Sequence, residues 1–548
     1  MSTLSGCHVH LRQLLPLFAC VVSSLHAQDT LWHRIETIGG DADDRRRLAQ
    51  LLGERSASDY LLRSPSSFAP PHAAPDRRLR WNVVMPEIVA VGNSSIPFSL
   101  NDGPLWAGRG WSQDLRFGFR AQRGRVVLVV APEFVGTENL SYDLPPLLVQ
   151  LPRPPGRDPL STPWYVGAYS IDLPLRFGTW GARRLDPGQS TLAADLGAVT
   201  VGLSTENEWW GPGIRNAIVL SNNAAGIPRA FVRTTRPVRT RIGVLEARWF
   251  LGGLFESPYF DRSPANDRRA ITALAATWTP AGASDLTLGV TRAVYAPLAR
   301  WGNIFAHMFD VVRDRGLHEV PGREGLQPRR DQIFSVFGRW VFPADGFAAH
   351  AEWARTDPPR SLRELLTAAN HSQGYTLGLE WARRLGVNGS FRLQAEATYL
   401  ELPPSYRNQV EATFYTGLAT PQGYTQRGEV IGAAIGPGAS SQWLGFDYFR
   451  PRWRLGLAAG RIRWNDDALY LFPITAIAGN KWCSHDVSVF WSASAAADSR
   501  WGRFRVAVTR GYRLNVFFAN LTTCDLHPDP QYIRDARNTT LEIRFSPP

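Results

Sequence analysis

The chain has 548 residues, 44% hydrophobic and 20% charged, and beyond its first residues it offers no run of about 18 apolar residues. A helical membrane protein is thereby excluded, whereas the length accommodates either several soluble domains or one large barrel. The formal net charge of +12 rests almost wholly on arginine, Lys481 being the one lysine. Arginine presents a planar fork of donors suited to carboxylate and phosphate.

The first element is a leader. Arg12 precedes an apolar run from Leu14 to Val22, then Ser23, Ser24 and a cleavage position after Ala27, the layout of a secretory signal peptide over residues 1–27. Leu17-Phe18-Ala19-Cys20 has the outline of a lipidation site, but Phe18 is too bulky for its position. Export takes nucleic acid out of reach as a partner. It leaves two anions for the arginines: lipopolysaccharide phosphates at a membrane rim and acidic glycans. Charge runs usually form solvated faces, so rim contacts and solubility are the more ordinary use.

From Asp43 to Leu62 the spacing of Leu48, Leu51 and Leu52 beside the run Asp43-Asp44-Arg45-Arg46-Arg47 predicts one or two short helices. So polar a helix cannot stand alone, and it is expected to pack against a larger body or plug its mouth. Pro65, Pro70, Pro71 and Pro75 mark a linker, which gives a helical periplasmic segment over 28–75 and a second body over 76–548.

That second body alternates. Phe391, Leu393, Ala395, Ala397 and Tyr399 share one face, and Arg392, Gln394, Glu396 and Thr398 the other. Tyr375, Leu377, Leu379 and Trp381 repeat the design, as do Leu115, Phe117 and Phe119, and Phe504, Val506 and Val508. Aromatic residues at both ends of an apolar face, charges opposite, export and 20 tryptophans predict an all-β fold, a large transmembrane antiparallel β-barrel. A soluble sandwich would instead need one apolar core between two sheets. Strands persist to Leu541, Ile543 and Phe545, although Ser546, Pro547 and Pro548 follow where many bacterial barrels end on an aromatic residue. The stretch Pro145 to Pro163 and the segment from about Asn303 to Arg330 are too irregular for strands and read as long loops. Ser361-Leu362-Arg363-Glu364 has the spacing of a reciprocal helix cap and predicts a short helix within a loop.

Removal of the leader takes away Cys7 and Cys20, and in an oxidising compartment Cys483 and Cys524 are expected to form a disulfide. His485 and His527 lie near them, but the spacings do not match the usual zinc sites, so no metal is expected. No G-x-S-x-G, H-E-x-x-H, P-loop or C-x-x-C string is present. The expectation is a protein without cofactor and not an enzyme, with an outer-membrane hydrolase as the lesser alternative.

Several Gly-rich and aromatic strings exceed what strand patterning requires. ENEWWGPG (Glu206 to Gly213) and LSNNAAGIP (Leu220 to Pro228) stand at the centre. Around them are NDGPLWAGRG (Asn101 to Gly110), APEF (Ala131 to Phe134), DPGQS (Asp186 to Ser190), EWARTD (Glu352 to Asp357) and GYTQRGEVIGAAIGPG (Gly423 to Gly438). In this order they resemble the Wzi family of capsule assembly proteins over about Asn101 to Gly438, and weakly over Leu52 to Ser64. The resemblance implies an outer-membrane barrel of about eighteen strands with a periplasmic helical element and a lectin-like, non-catalytic role in attaching capsular polysaccharide. One departure is Thr416-Gly417 after Tyr415, where the family often carries a histidine.

For such a role, Trp209, Trp210, Arg215, Asn222, Asn223, Trp106 and Arg109 are the candidate glycan-binding residues. Trp faces stack on sugar C–H surfaces while Arg and Asn hold hydroxyls and carboxylates. The alternative for Trp-Trp-Gly-Pro-Gly is structural: to turn a strand, plug the lumen and let backbones approach closely. The expected partners are capsular or exopolysaccharide and outer-membrane lipids including lipopolysaccharide, the chain acting as a monomer. A diffusion porin is the alternative function.

Overall fold

The computed structural model describes residues 34–58, 60–68, 78–144, 155–165, 170–319, 325–357, 361–405, 413–471, 485–518 and 535–548. The leader and the Cys483–Cys524 pair lie outside the described residues, as do Pro70, Pro71 and Pro75 of the linker.

Residues with period-2 alternation pair into one closed antiparallel barrel. In chain order its strands are β1 (Arg80–Asn93), β2 (Gly110–Arg123), β3 (Val126–Val130 and Glu133–Thr137), β4 (Ala182–Asp186 and Thr191–Asp195), β5 (Val199–Ser204) and β6 (Arg229–Thr234 and Val238–Thr240). They continue as β7 (Gly243–Phe255), β8 (Arg268–Pro280), β9 (Leu286–Pro297), β10 (Asp331–Phe342), β11 (Phe347–Arg355) and β12 (Gln373–Leu385). The last six are β13 (Gly389–Tyr399), β14 (Ser440–Phe449), β15 (Trp453–Trp464), β16 (Asp486–Ser499), β17 (Gly502–Leu514) and β18 (Ala536–Ser546). Closure runs through β18 onto β1, with Phe545 opposite Ile88. The eighteen strands remove every free edge but the interruptions in β3, β4 and β6. Two of those fall at Pro132 and Pro187, which have no N–H to give a ladder.

The faces follow the sequence. On β13, Leu393 points outward and is exposed, whereas Arg392, Gln394, Glu396 and Thr398 point inward and are buried. Leu377, Leu379, Leu455, Leu457, Val506 and Val508 continue the outward apolar surface. Exposure on this scale is a lipid-facing band, since soluble proteins seldom display such patches. Trp278, Trp340, Trp381 and Trp453 line the border of the band at one end. At that end the strands are joined by short turns, such as 343–346, 386–388 and 450–452. Long connections leave the other end. In outer-membrane barrels the short turns face the periplasm.

One helix, α1 (Asp41–Leu51), enters the lumen from the short-turn end. Asp41, Asp43 and Asp44 in its first turn favour the positive helix terminus, and Gly53 follows at φ +73°. Leu48 and Leu51 pack on Val341, Ala348, Ala382 and Phe449. The charged run is not a solvated face: Arg46 and Arg47 are buried, Arg46 donating to Ser67 O at 3.1 Å and Arg47 pairing with the barrel wall. Arg47 Nε meets Glu380 at 2.7 Å, Arg392 bridges Asp44 at 2.7 Å and Asp447 at 2.6 Å, and Arg63 meets Asp43 at 3.1 Å.

One loop expectation needs adjustment and another holds. The stretch after Asn303 is not strandless, because Leu317–Glu319 pairs with Leu326–Pro328 in a small hairpin. The Ser361 cap is present, its Oγ accepting the Glu364 N–H at 3.1 Å over the helix Leu362–Thr367. The Glu364 carboxylate reaches Arg355, 3.5 Å away.

Candidate functional site: the lumenal plug and the loop face above it

The string Glu206 to Gly213 descends from the long-loop end between β5 and β6 and meets the N-terminal segment inside the barrel. Leu62 and Arg63 pair with Trp210 and Trp209 in a two-residue antiparallel ladder. Gly211 N–H donates to Leu61 O at 2.9 Å, and Arg47 donates to Pro212 O at 2.7 Å. Gly211 sits at φ +110°, a conformation that favours glycine. Gly213 is required for closeness, since a Cβ there would lie 2.2 Å from the Asn216 carbonyl oxygen.

The wall then grips the turn that follows. Glu396 on β13 accepts the N–H of Arg215 and of Asn216 at 2.9 Å each, and that of Ile214 as well. Glu208 accepts Trp210 Nε1 at 2.5 Å and Arg229 at 2.8 Å. Burial alone would raise the Glu208 carboxyl, but Arg229 and Arg248 overturn that and leave it below its ordinary range. Tyr415 and Tyr424 donate their hydroxyls to Ile218 O and Val219 O, 2.8 Å each, tying in the connection before β14. These rings and chain segments form one buried apolar cluster.

This geometry sorts the seven sequence candidates. Trp209 and Trp210 are both buried. Trp210 packs on Phe250 with centroids 5.6 Å apart, and Arg63 lies 5.3 Å over the Trp209 ring. Neither ring has a face open to a sugar, so the stacking expectation for this pair is corrected to a structural one. Asn222 and Asn223 are pins: Asn222 Nδ2 donates to Asn101 O at 3.1 Å, and Asn223 Nδ2 to Val430 O at 2.8 Å. The Arg215 guanidinium lies 5.7 Å over Trp443, beside an interior cavity of about 200 Å³. Only Trp106 and Arg109 belong to the long-loop face, each half-buried, with Arg109 donating to Ser141 O.

Around Trp106 the fold gathers residues that the sequence reading missed. Phe177 lies 4.9 Å from Trp106 between ring centroids, and Tyr259 lies 6.0 Å from Phe177. Arg184 donates to Pro104 O at 3.0 Å and Arg427 to Asp186. Trp180 stands nearly free in solvent. Burial pushes the Glu429 carboxyl up to about 8 against the pull of Arg184, and the Asp102 carboxyl up to about 6. The string Arg176 to Trp180, aromatics around a glycine, was the available signal. Its partners come from three other connections, which no local pattern joins. Half-exposed aromatic faces beside arginines suit stacking on sugar rings and pairing with carboxylates.

No family model matches the sequence, and no curated protein matches it either. Among solved structures, the fold is similar to Wzi of Escherichia coli, an outer-membrane protein involved in group 1 capsule assembly and a carbohydrate-binding β-barrel. The TM-score is 0.53 and identity 11%, over 84% of this chain and 83% of that one. At that identity the likeness is one of fold. OccK5 of Pseudomonas aeruginosa (8% identity, TM-score 0.38) and OccAB2 of Acinetobacter baumannii (10%, 0.39) each cover 87% of this chain and 99% of their own. Those scores are too low to support a finer comparison.

Proposed function

We propose that this chain is an exported outer-membrane protein that binds surface polysaccharide on its long-loop face and helps to assemble or attach a capsule. The observation that carries the reading is the interlocked lumen. The plug from the loops and the chain that follows the helix, at Leu62–Arg63, meet in a shared ladder, and the helix adds buried ion pairs to the wall. A barrel filled in this way is suited to presenting loops rather than to passing solutes, which disfavours the porin alternative. The carbohydrate-binding barrel that shares this fold supports the same reading. The role is non-catalytic and needs no cofactor, and the chain acts alone.

The test is retention of the host's own surface polysaccharide by purified, detergent-folded protein, beside an unrelated barrel. Wild type is expected to retain it, Trp106→Ala/Arg427→Gln to lose most of it, and Trp209→Phe to retain it. Equal retention by the unrelated barrel removes the reading.

A further inference from the structure

The outward face of β14 to β18 departs from the apolar pattern at one level. Register sets Gln442, Arg461, Val489, Tyr512 and Arg537 side by side, and Leu444, Ala459, Trp491, Arg510 and Thr539 in the row below. The next row, Phe446, Leu457, Ala493, Val508 and Leu541, is wholly apolar. Arg461 donates to Gln442 Oε1 at 3.2 Å, and Arg510 to the Thr539 hydroxyl. Arg537 lies 5.9 Å over the Tyr512 ring, whose hydroxyl donates to Asp535 at 2.7 Å. The hydrogen-bond partners of Arg461 and Arg510 are neutral, and among the described residues neither guanidinium makes a direct ion pair.

The level is informative. β15 begins at Trp453 and β17 at Gly502, both at the short-turn end. A rise of about 3.4 Å per residue and a tilt near 40° place Arg461 and Arg510 roughly 20 Å above that end, near the top of a lipid band about 25 Å tall. An outward arginine costs about 2–4 kcal/mol at the midplane but only about 0–1 near the interface. An anionic headgroup in the adjoining leaflet offsets what remains.

A second observation points to a ligand. An apolar groove of about 1010 Å³ indents the outer wall with Arg461 in its lining. It follows a register row in which Trp491, Leu444, Leu379 and Trp340 alternate with Ala459, Ala395 and Ala349. Alanines make its floor and the larger residues its ridges. Because the strands tilt, this row descends obliquely from the arginines toward Trp340 at the short-turn border.

We propose that this face binds the phosphorylated, multiply acylated disaccharide of the outer leaflet, the lipid A moiety of lipopolysaccharide. Arg461 and Arg510 hold phosphate through their forked donors, and the groove takes an acyl chain. The two arginines stand two strands and one register row apart, roughly 12 Å at the usual strand spacing and rise. A bisphosphorylated disaccharide bridges that span; a single glycerophosphate headgroup does not. The site is independent of what the loop face binds.

Delipidated full-length protein is titrated with diphosphoryl lipid A or with phosphatidylglycerol, and bound lipid is read by native mass spectrometry. Wild type is expected to prefer lipid A, Arg461→Gln/Arg510→Gln to bind it at least tenfold more weakly, and Ala459→Trp, which fills the groove with charge intact, to weaken it as well. Arg452→Gln/Arg500→Gln, the same charge change at the short turns, is expected to bind as wild type. Removing lipid-facing charge does not oppose insertion, so the first variant folds. Undiminished lipid A binding by it, an equal loss in the short-turn pair, or phosphatidylglycerol bound as tightly as lipid A overturns the proposal.

Discussion

Glu396 lies on a membrane-spanning strand, yet its carboxylate accepts three consecutive backbone N–H groups of the turn after Trp-Trp-Gly-Pro-Gly. Truncation by Glu396→Ala removes the acceptor from three donors inside the barrel, where a buried unmet donor costs about 1–3 kcal/mol. The expected result is a loss of at least about 2 kcal/mol in plug stability. Amide exchange should accelerate over 205–217 while β13 keeps its protection. Glu396→Gln, which retains an acceptor oxygen, should lose less than Glu396→Ala. Uniform acceleration across the barrel would instead mark Glu396 as a general stabiliser of the wall. Alternation in the sequence already turned Glu396 inward. It could not name the partner, because a carboxylate and a turn so far apart in the chain meet only once the barrel has closed.

At the scale of elements, the helical segment was legible and its neighbours only in part. Leucine spacing beside the charged run gave α1, although the expected helical stretch ran on to Leu62 and α1 ends at Leu51; its polarity implied a larger body to hold it. The ladder between Leu62–Arg63 and Trp209–Trp210 had no signal, since two-residue strands show no periodicity; the tryptophan string therefore stayed open to a ligand or a structural role. The helix is held by charge, which makes its docking depend on pH. Burial would raise the Asp44 carboxyl, but Arg454 and Arg392 drive it far below its ordinary value of 3.8. Glu208 in the loop plug is likewise depressed from 4.5, through Arg229 and Arg248. A carboxyl depressed in the folded state stabilises it fully above the unfolded value, and that contribution fades as pH falls through the folded one. Docking should therefore be unchanged from pH 7 to about 5 and weaken below about pH 4. Limited proteolysis with an acid-active protease, comparing cleavage within 41–51 at pH 5 and pH 3, checks this. Cleavage that instead grows from pH 5 toward pH 8 would reverse the sign and discard these pairs as the cause.

The molecule as a whole is a barrel whose two plugs enter from opposite ends and lock at the middle, so its permeability depends on that lock rather than on strand number. Arg47 spans the junction, paired with Glu380 on the wall and donating to Pro212 O in the loop plug. Arg63 does the same with Asp43 and Gly213 O. Removing one partner of a buried pair costs about 3–5 kcal/mol, because the other charge stays behind. Arg47→Ala/Arg63→Ala should thus part the plugs while leaving the strand ladders, whose hydrogen bonds lie in the wall, intact. In planar bilayers at neutral pH the wild type should show no sustained current steps, and the double variant frequent, flickering ones. Wild type in acid below about pH 4 should move toward the variant, because the undocked state takes up protons at Asp44 and Glu208 that the docked ion pairs exclude, and this draws the junction apart. Steady conductance from the wild type at neutral pH would mean that the plugs leave a continuous path, and a filled lumen would no longer support a loop-presenting, polysaccharide-binding barrel. A silent double variant, still folded by strand content, would place the seal elsewhere, in the Tyr415 and Tyr424 connections above the ladder.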